Sequence, residues 1–241
     1  MKQEFATVLS NRKLNETTYE MILSDVTENM NAGQFVEMKL DGKYLRRPFS
    51  VCNCEDGKLL LLYKVAGLGT EQMTHAKVGD RFDLLTGLGN TFDLSKTDKP
   101  TLIGGGIGVA PLFGLAKSFL KKGIKPTVIL GFRNKEESFY VEEFKSVADV
   151  IVATDDGSMG IRGNALDALK VVDFHYYYAC GPMIMLKALG KFSANGQLSL
   201  EARMGCGFGA CMGCSIKTTG GYKRVCKEGP VFNASEVIYD D

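Results

Sequence analysis

Four of the seven cysteines lie close together near the C-terminus, where they could bind a metal centre. They are separated by four, two and eleven residues and are Cys206, Cys211, Cys214 and Cys226. A C-x4-C-x2-C run with a distant fourth cysteine is the plant-type spacing for thiolate ligands of a [2Fe–2S] cluster. Glycines lie among them, where a backbone without Cβ atoms can wrap closely and direct N–H groups at sulfur: Gly205, Gly207, Gly209 and Gly213. The four cysteines are therefore predicted to bind a [2Fe–2S] cluster.

Zinc is the main alternative metal at these cysteines. A structural zinc site also takes four cysteines, but it usually shows two C-x2-C or C-x4-C knuckles, and only one half of the spacing fits. In that alternative the chain would be a zinc-binding adaptor without redox chemistry. A disulfide framework is less expected, because the N-terminal residues lack the apolar stretch of a signal peptide.

Two motifs nearer the N-terminus could bind a ligand that carries phosphate and a flat polar ring. Arg46 and Arg47 offer guanidinium forks for phosphate oxygens, and Phe49 and Ser50 offer an aromatic ring and a hydroxyl. Residues 63–70 read as a strand that runs into a glycine-rich turn, which can present backbone N–H groups and a threonine hydroxyl to a diphosphate. A solvated arginine pair and a plain hairpin remain alternatives for the two motifs.

A second glycine-rich turn could hold the diphosphate of a dinucleotide. A predicted strand over 100–103 ends in Gly104, Gly105, Gly106 and Gly108, and a helix is predicted over 111–122. A strand, a glycine turn and a helix N-terminus form the usual pyrophosphate site, although Val109 stands where a third motif glycine is expected. Cys180 and Gly181 follow the last predicted core strand, at the sheet edge where ligands of open α/β sheets bind. Cys180 could instead be an inert buried thiol.

The elements that must position these motifs change type along the chain. Short, turn-separated strands over 4–9, 18–23, 35–40, 59–65 and 81–85 predict a small antiparallel barrel. From residue 99, strands over 100–103, 127–130, 150–154 and 175–179 alternate with helices, which are predicted over 111–122, 136–147, 164–170 and 182–192. Such alternation predicts a parallel sheet with right-handed crossovers. The fold class is thus a β-barrel domain, an α/β domain and a C-terminal cysteine segment, with boundaries at 1–97, 98–195 and 196–241.

Composition narrows the functional classes. The chain has 241 residues, 45% of them hydrophobic, and a net charge of +1 with no long run of one sign. That balance gives no reason to expect a nucleic-acid groove or an anionic membrane surface. No apolar run of membrane-spanning length occurs. An odd number of cysteines without an export signal predicts a reducing cytoplasm. His75 and His175 have no ligand or triad partners in the sequence, and we assign no catalytic residue.

The flavin and dinucleotide motifs together resemble those of the ferredoxin–NADP reductase superfamily. Residues 47–50 resemble its R-x-[YF]-S signature, residues 104–111 its G-G-x-G-[IV]-[AT]-P loop, and residues 180–185 its C-G-P-x-x-[ML] signature. The resemblance implies that Arg47 binds the FAD phosphate, Phe49 packs on the isoalloxazine and Ser50 reaches its N5 region. The predicted FAD contacts are Arg47, Pro48, Phe49, Ser50, Leu62, Tyr63, Lys64, Gly69 and Thr70. The predicted NAD contacts are Gly104, Gly105, Gly106, Gly108, Cys180 and Gly181.

The order of flavin barrel, nicotinamide domain and cysteine loop resembles the electron-transfer subunits of class 1B dihydroorotate dehydrogenases over essentially the whole chain. That resemblance implies FAD, one [2Fe–2S] cluster and NAD as cofactors. It also implies an FMN-containing catalytic partner in a heterotetramer of two plus two subunits, with electrons passing from FMN through the cluster and FAD to NAD+. The small subunit of an NAD(P)H-dependent ferredoxin reductase or sulfide dehydrogenase has the same motifs and remains an alternative.

The choice between NAD and NADP stays open in the residues themselves. The second α/β strand ends at 131–135 without an acidic residue for a ribose 2′-hydroxyl, and Arg133 or Lys135 could accept a 2′-phosphate. We follow the resemblance and predict NAD. Asp155 and Asp156, after the next strand, could border the cleft or simply form a turn.

Overall fold

Two seven-stranded sheets and one two-stranded hairpin make up the fold in the computed structural model, which describes residues 1–239. The first sheet is antiparallel and curled, the second is mainly parallel with helices on its faces, and the hairpin belongs to the cysteine segment. The predicted fold class is confirmed. The domain boundaries stay a prediction.

The first sheet is built from the N-terminal part of the chain. Its strand order is β4-β3-β7-β1-β2-β6-β5, and its strands are β1 (Lys2–Lys13), β2 (Thr18–Ser24), β3 (Phe35–Met38), β4 (Arg47–Ser50), β5 (Asn53–Glu55), β6 (Lys58–Lys64) and β7 (Arg81–Leu88). Side chains alternate across β1, so that Ala6 and Val8 are buried while Phe5 is exposed. The inward side chains form a core inside the curl.

One short helix interrupts this sheet. Helix α1 (Leu68–Thr74) follows β6 directly, where the sequence predicted only a turn. The Thr70 hydroxyl accepts hydrogen bonds from the backbone N–H groups of Ala66 and Gly67, at 2.9 and 3.2 Å, and so caps the helix.

The second sheet carries the crossover helices. Its order is β11-β10-β9-β8-β12-β13-β16, in which only β16 runs antiparallel to its neighbour. The strands are β8 (Pro100–Gly105), β9 (Thr127–Phe132), β10 (Asp149–Thr154), β11 (Ile161–Arg162), β12 (Tyr176–Cys180), β13 (Gly196–Ser199) and β16 (Val231–Asn233). The helices are α2 (Ala110–Lys121), α3 (Val141–Lys145), α4 (Ala165–Leu169) and α5 (Met183–Phe192). Because β9 and β12 lie on opposite sides of β8, the sheet changes direction at the glycine turn that follows β8.

The cysteine segment joins this sheet at both ends. Strand β13 enters the segment, β16 leaves it, and the hairpin β14 (Ser215–Thr218) and β15 (Gly221–Arg224) lies between them. Ser199 pairs with Val231 in the antiparallel register. The sequence did not predict these four strands, because each is only three or four residues long.

Helix α3 is shorter than predicted. The sequence suggested a helix over 136–147, whereas α3 begins only at Val141. Tyr140 takes the left-handed conformation, with φ at 62°, and this breaks the helical path before α3. The Asn134 side chain instead accepts a hydrogen bond from the Glu137 N–H at 2.9 Å and closes a turn.

Buried polar contacts join the two sheets. The Tyr140 hydroxyl donates a short hydrogen bond to Glu20 on β2, and Arg12 forms an ion pair with the same carboxylate at 2.5 Å. The Gly114 N–H of α2 donates to the Cys52 carbonyl at 2.9 Å. These contacts lie between the two sheets. Within residues 1–239, no helix has the length and hydropathy to cross a bilayer.

Candidate functional site

The four predicted cluster cysteines come together as two pairs. The Cys206 and Cys211 side chains lie close enough for each to affect the other's environment, and so do those of Cys214 and Cys226. A backbone hydrogen bond also joins the second pair, because the Cys226 N–H donates to the Cys214 sulfur at 3.4 Å. The folded chain thus holds the four thiols as two pairs, with Cys206 near enough to Cys226 to help raise its pKa.

Backbone N–H groups surround the first sulfur of the loop. The N–H groups of Ala210 and Cys211 point at Cys206 Sγ from 3.2 and 3.4 Å. Burial raises the pKa of the Cys206 thiol, but these N–H groups and that of Phe208 lower it overall to about 6. Cys226 differs, since burial and the Cys214 thiol raise its pKa to about 12. The loop therefore favours a thiolate at Cys206, the form that binds metal.

The paired arrangement suits the two irons of a [2Fe–2S] cluster. One zinc would need all four sulfurs at about 2.3 Å. A two-iron cluster places two thiolates on each iron, which suits the pairs Cys206–Cys211 and Cys214–Cys226.

A buried carboxyl group links the barrel to the cysteine loop. Glu37, on β3, is 2% exposed, and a Cβ atom built on Gly207 would lie 2.4 Å from its Oε1. Burial raises the pKa of Glu37 to about 7, against the opposing effect of Arg46. Gly207 also has φ at +76°, so both its conformation and its space require glycine.

A small cavity lies between the barrel and the cysteine segment. Its volume is about 170 Å³, and its lining includes Pro48 and Ser50 of β4 together with Glu201, Met204 and Pro230. Two of the predicted FAD contacts, Pro48 and Ser50, therefore face a cavity that reaches within two residues of Cys206.

The predicted phosphate-binding residues of the barrel lie side by side. A Cβ atom on Gly69 would lie 3.6 Å from Arg47 Nε, so the arginine passes directly over the start of α1. Arg47 donates to the Leu45 carbonyl at 2.7 Å. The N-terminal end of α1 and a guanidinium together suit a diphosphate. The Thr70 hydroxyl, by contrast, is already used as the helix cap.

Three other predicted FAD residues pack into the protein interior. Tyr63 is 1% exposed, stacks on Tyr19 with ring centroids 5.5 Å apart, and donates to Asn11 at 3.0 Å. Phe49 packs edge-on against Tyr63, and Leu62 is buried in the core that contains α2. These side chains support the barrel wall.

A larger cleft runs along the carboxyl ends of the parallel strands. Its volume is about 580 Å³, and its lining includes the predicted NAD contacts Gly105, Gly106, Gly108 and Gly181. Gly104 packs beneath it against Val109, and Cys180 is buried beside it with a pKa raised by burial to about 12. A cavity of about 660 Å³ between β5 and α2 is lined by none of the predicted site residues.

The glycine turn is held against the strand beside it. A Cβ atom on Gly108 would lie 2.4 Å from the Cys180 carbonyl oxygen, closer than side-chain and backbone atoms approach. The backbone after β8 therefore contacts the backbone after β12, and only glycine permits this. The contact shapes the floor of the cleft for a diphosphate at the start of α2.

Two residues of the cleft come from outside the glycine motifs. Lys64, predicted as an FAD contact, lines this cleft and forms an ion pair with Glu137 at 3.7 Å. Glu201, which the sequence reasoning missed, lines both this cleft and the cavity beside Ser50. Its only sequence signal is its position just beyond β13, at the edge where parallel strands place ligand-binding side chains.

The chain matches known proteins over nearly its full length. The profile of a family described as the iron-sulfur cluster binding domain of dihydroorotate dehydrogenase B matches residues 201–238. The electron transfer subunit of dihydroorotate dehydrogenase B (NAD(+)) from Geobacillus sp. (strain WCH70) is 42% identical over 99% of both chains. The corresponding subunit from Bacillus caldolyticus is 43% identical over 98% of both. A chain of an NADH-dependent reduced ferredoxin-NADP oxidoreductase superposes with a TM-score of 0.89 and 30% identity, over 97% of this chain and 89% of that one.

Proposed function

This chain belongs to the family of dihydroorotate dehydrogenase B (NAD(+)) electron transfer subunits, and on that premise we propose that it passes electrons from a catalytic subunit through a [2Fe–2S] cluster and FAD to NAD+. Family membership confirms the resemblance found in the sequence. The observation that carries the proposal is the continuity of the site, because Glu201 borders both the nucleotide cleft and the cavity beside Ser50, and that cavity reaches Met204 next to the cysteine loop.

Each binding region has residues that suit one cofactor. The cluster would be held by Cys206, Cys211, Cys214 and Cys226. The FAD diphosphate would bind at Arg47 and the start of α1. The NAD diphosphate would bind at the turn formed by Gly105–Gly108. When bound, a flavin supplies the exchange between hydride transfer and single-electron transfer. The protein contributes position, because the three regions adjoin one another and Glu37 fixes the cysteine loop against the barrel.

Since the sequence analysis assigns no catalytic residue and the relatives are named electron transfer subunits, we propose that dihydroorotate is oxidised only in the presence of the catalytic subunit. We further propose that the catalytic subunit contains FMN and that two copies of each subunit form a heterotetramer. We propose a cytoplasmic location for the complex. A reducing compartment suits seven cysteines that form no disulfide within residues 1–239. We also propose the boundaries 1–97, 98–195 and 196–241 for the three functional segments.

Purified full-length chain tests this division of labour. Alone, it is expected to oxidise NADH with an artificial acceptor such as ferricyanide, to show flavin and iron–sulfur absorption, and to leave dihydroorotate untouched. Addition of the catalytic subunit should restore dihydroorotate-dependent reduction of NAD+. Reduction of NAD+ by dihydroorotate without the partner, or a colourless protein that contains zinc, would contradict the proposal.

The ferredoxin reductase alternative has one supporting observation. The ferredoxin-NADP oxidoreductase chain has nearly the same fold, but its identity to this chain is 30% against 42–43% for the dihydroorotate dehydrogenase subunits. Co-purification separates the two functions, because a dihydroorotate-oxidising partner supports the proposal and a ferredoxin-reducing partner supports the alternative.

A further inference from the structure

Arg224 joins the two halves of the cysteine segment. It is the last residue of β15 and stands two residues before Cys226. Its guanidinium donates a hydrogen bond to the carbonyl of Gly209, which lies in the loop between Cys206 and Cys211. One side chain therefore connects the loop of the first thiol pair to the strand that leads to the last cysteine of the second pair.

A carboxylate fixes the plane of this guanidinium. Arg224 Nε donates to Glu228 Oε2 at 3.0 Å, and a second guanidinium nitrogen donates to the other carboxylate oxygen. The backbone N–H of Arg224 also donates to Oε2, at 2.7 Å. Bidentate arginine–carboxylate pairs hold a defined geometry, unlike single contacts between flexible surface side chains. Only 26% and 34% of the two side chains are exposed, so solvent screens the pair only in part.

The turn that bears Cys226 and Glu228 is itself anchored to the barrel. The Arg224 carbonyl accepts hydrogen bonds from the N–H groups of Glu228 and Gly229, at 2.9 and 3.3 Å, and these bonds close the turn. The side chain of Asn90, just after β7, donates to the Glu228 carbonyl at 3.1 Å. The charge pair of Arg224 and Glu228 thus has a fixed place beside the cysteines.

The guanidinium lies near the sulfurs of the second thiol pair. The pKa of Arg224 is raised, first by its hydrogen bond to Glu228 and also by the charges that Cys226 and Cys214 carry as thiolates. Attraction between unlike charges is mutual, so the guanidinium stabilises negative charge at these sulfurs. The Glu228 carboxylate opposes this effect, because it lies directly beside the guanidinium. The pair therefore contributes one charge of each sign next to the thiolates.

We propose that Arg224 is a positioning residue for the cluster: it links the two thiol pairs, and its charge, opposed by that of Glu228, sets how readily the cluster accepts an electron. This role rests on the proposed function, because it takes the four cysteines as cluster ligands. In that function one electron leaves the catalytic subunit, reduces the cluster and passes on to FAD, with no bond made or broken. Reduction adds one negative charge, so a nearby cation favours the reduced form and a nearby carboxylate disfavours it.

Arg224→Met and Glu228→Gln, each in the full chain loaded with its cofactors, change the local charge in opposite directions. The midpoint potential of the cluster is measured by a redox titration followed by electron paramagnetic resonance. Arg224→Met leaves the carboxylate unopposed, so the ratio of reduced to oxidised cluster at a fixed potential should fall by about threefold or more. Glu228→Gln leaves the guanidinium unopposed, so the same ratio should rise by about threefold or more. Threefold corresponds to about 28 mV, since a tenfold change is about 59 mV for one electron.

Iron content tests the link between the thiol pairs separately from the charge. Arg224→Met loses the hydrogen bond to Gly209, so the iron content should fall by about half or more while the FAD content is retained. Arg224→Lys keeps the charge but cannot reproduce the guanidinium fork. Its iron content should fall too, but its potential should shift less than that of Arg224→Met. If Arg224→Met binds neither cofactor, Arg224→Lys tests the link and Glu228→Gln tests the charge.

Lys223→Met and Glu236→Gln are the matched controls. Lys223 precedes Arg224 on β15, so its side chain leaves the opposite face of the hairpin, where it forms an ion pair with Glu236. Both controls should keep the full iron content and change the ratio less than about twofold. Shifts of the same sign in Arg224→Met and Glu228→Gln, or shifts no larger than those of the controls, would overturn the role of the charge. Full iron content in Arg224→Met would overturn the link. An unaltered chain that binds no iron–sulfur cluster would instead contradict the proposed function.

Discussion

Glu201 illustrates how single residues acquire a role through contacts made far along the chain. It stands only five residues before Cys206 in the sequence, yet it borders the cleft formed after β8, β9 and β12. Burial raises the pKa of its carboxyl group. Glu37 is similar, since its contact with Gly207 joins residues of the barrel and the cysteine loop.

The cysteines could be predicted from local spacing, because the ligands of one cluster lie in one short stretch. Glu37 and Glu201 could not, since their surroundings are set by strand order and packing. The flavin contacts predicted for Tyr63 and Phe49 stay predictions. The sequence could not reveal that Tyr63 is also stacked on Tyr19 within the barrel core.

At the same scale, replacement of one buried thiol should separate cluster binding from flavin binding. Cys226→Ser removes a thiolate from the Cys214–Cys226 pair, so the iron content should fall by more than about half, with loss of the cluster's absorption and electron paramagnetic resonance signals. FAD content should be retained, because the Arg47 region is untouched.

Cys54→Ser is the matched control for that experiment. Cys54 is half-buried on β5, where its thiol lies 3.6 Å from the Glu28 carbonyl, away from the cysteine loop. It should keep the full iron content. Cys226→Ser protein with a complete, spectroscopically normal cluster would show that Cys226 is not a ligand.

Among the elements, those with a strong repeating pattern were predictable. Strands β2, β6 and β9 and helices α2 and α5 lie close to their predicted positions, because each buries several side chains on a regular period. The short strands β13 to β16 and the left-handed Tyr140 were not predictable, since backbone pairing and packing determine them.

The glycine turn after β8 gives a testable prediction about nucleotide binding. Gly108→Ala would force the turn away from the Cys180 carbonyl, so the affinity for NADH should fall and its KM should rise by about tenfold or more. The overlap with rigid backbone should also lower the free energy of unfolding, by about 2 kcal/mol.

Steady-state kinetics and urea denaturation measure the two effects. Gly220→Ala is the control, because a Cβ atom there would meet nothing closer than 3.9 Å. It should leave the KM for NADH and the stability close to their original values. An unaltered KM in Gly108→Ala would mean that the turn does not position the nucleotide.

For the molecule as a whole, the Arg12–Glu20–Tyr140 contact joins the two sheets. Glu20 is a buried carboxyl group, and burial alone would raise its pKa, but the hydrogen bonds from Arg12 and Tyr140 lower it overall. A folded-state pKa below the unfolded value of 4.5 stabilises the fold above about pH 4.5. That stabilisation is lost as the pH falls through the folded-state pKa.

Tyr140→Phe tests this contact. Loss of the hydroxyl should cost about 2 kcal/mol at pH 7, because a buried carboxylate loses a hydrogen bond. The stabilisation from Glu20 should also disappear at a higher pH than in the unaltered chain, because its pKa moves back toward the unfolded value. Urea denaturation midpoints between pH 7 and pH 3 measure both changes.

Tyr222→Phe provides the comparison at whole-molecule scale, since Tyr222 is 74% exposed on the hairpin. Its midpoints should follow those of the unaltered chain at each pH. If Tyr140→Phe is as stable as Tyr222→Phe throughout this range, the contact does not hold the sheets together.

The pairing of Ser199 with Val231 makes the iron–sulfur region an insertion within a single hairpin. Facing residues of an antiparallel pair have Cα atoms about 5 Å apart, so residues 200–230 leave and return at almost the same point. A tight turn could bridge that gap and leave β13 and β16 paired in the sheet. Protein engineers could therefore exchange the metal-binding insert for another, provided that Glu201, which borders the cleft, is kept.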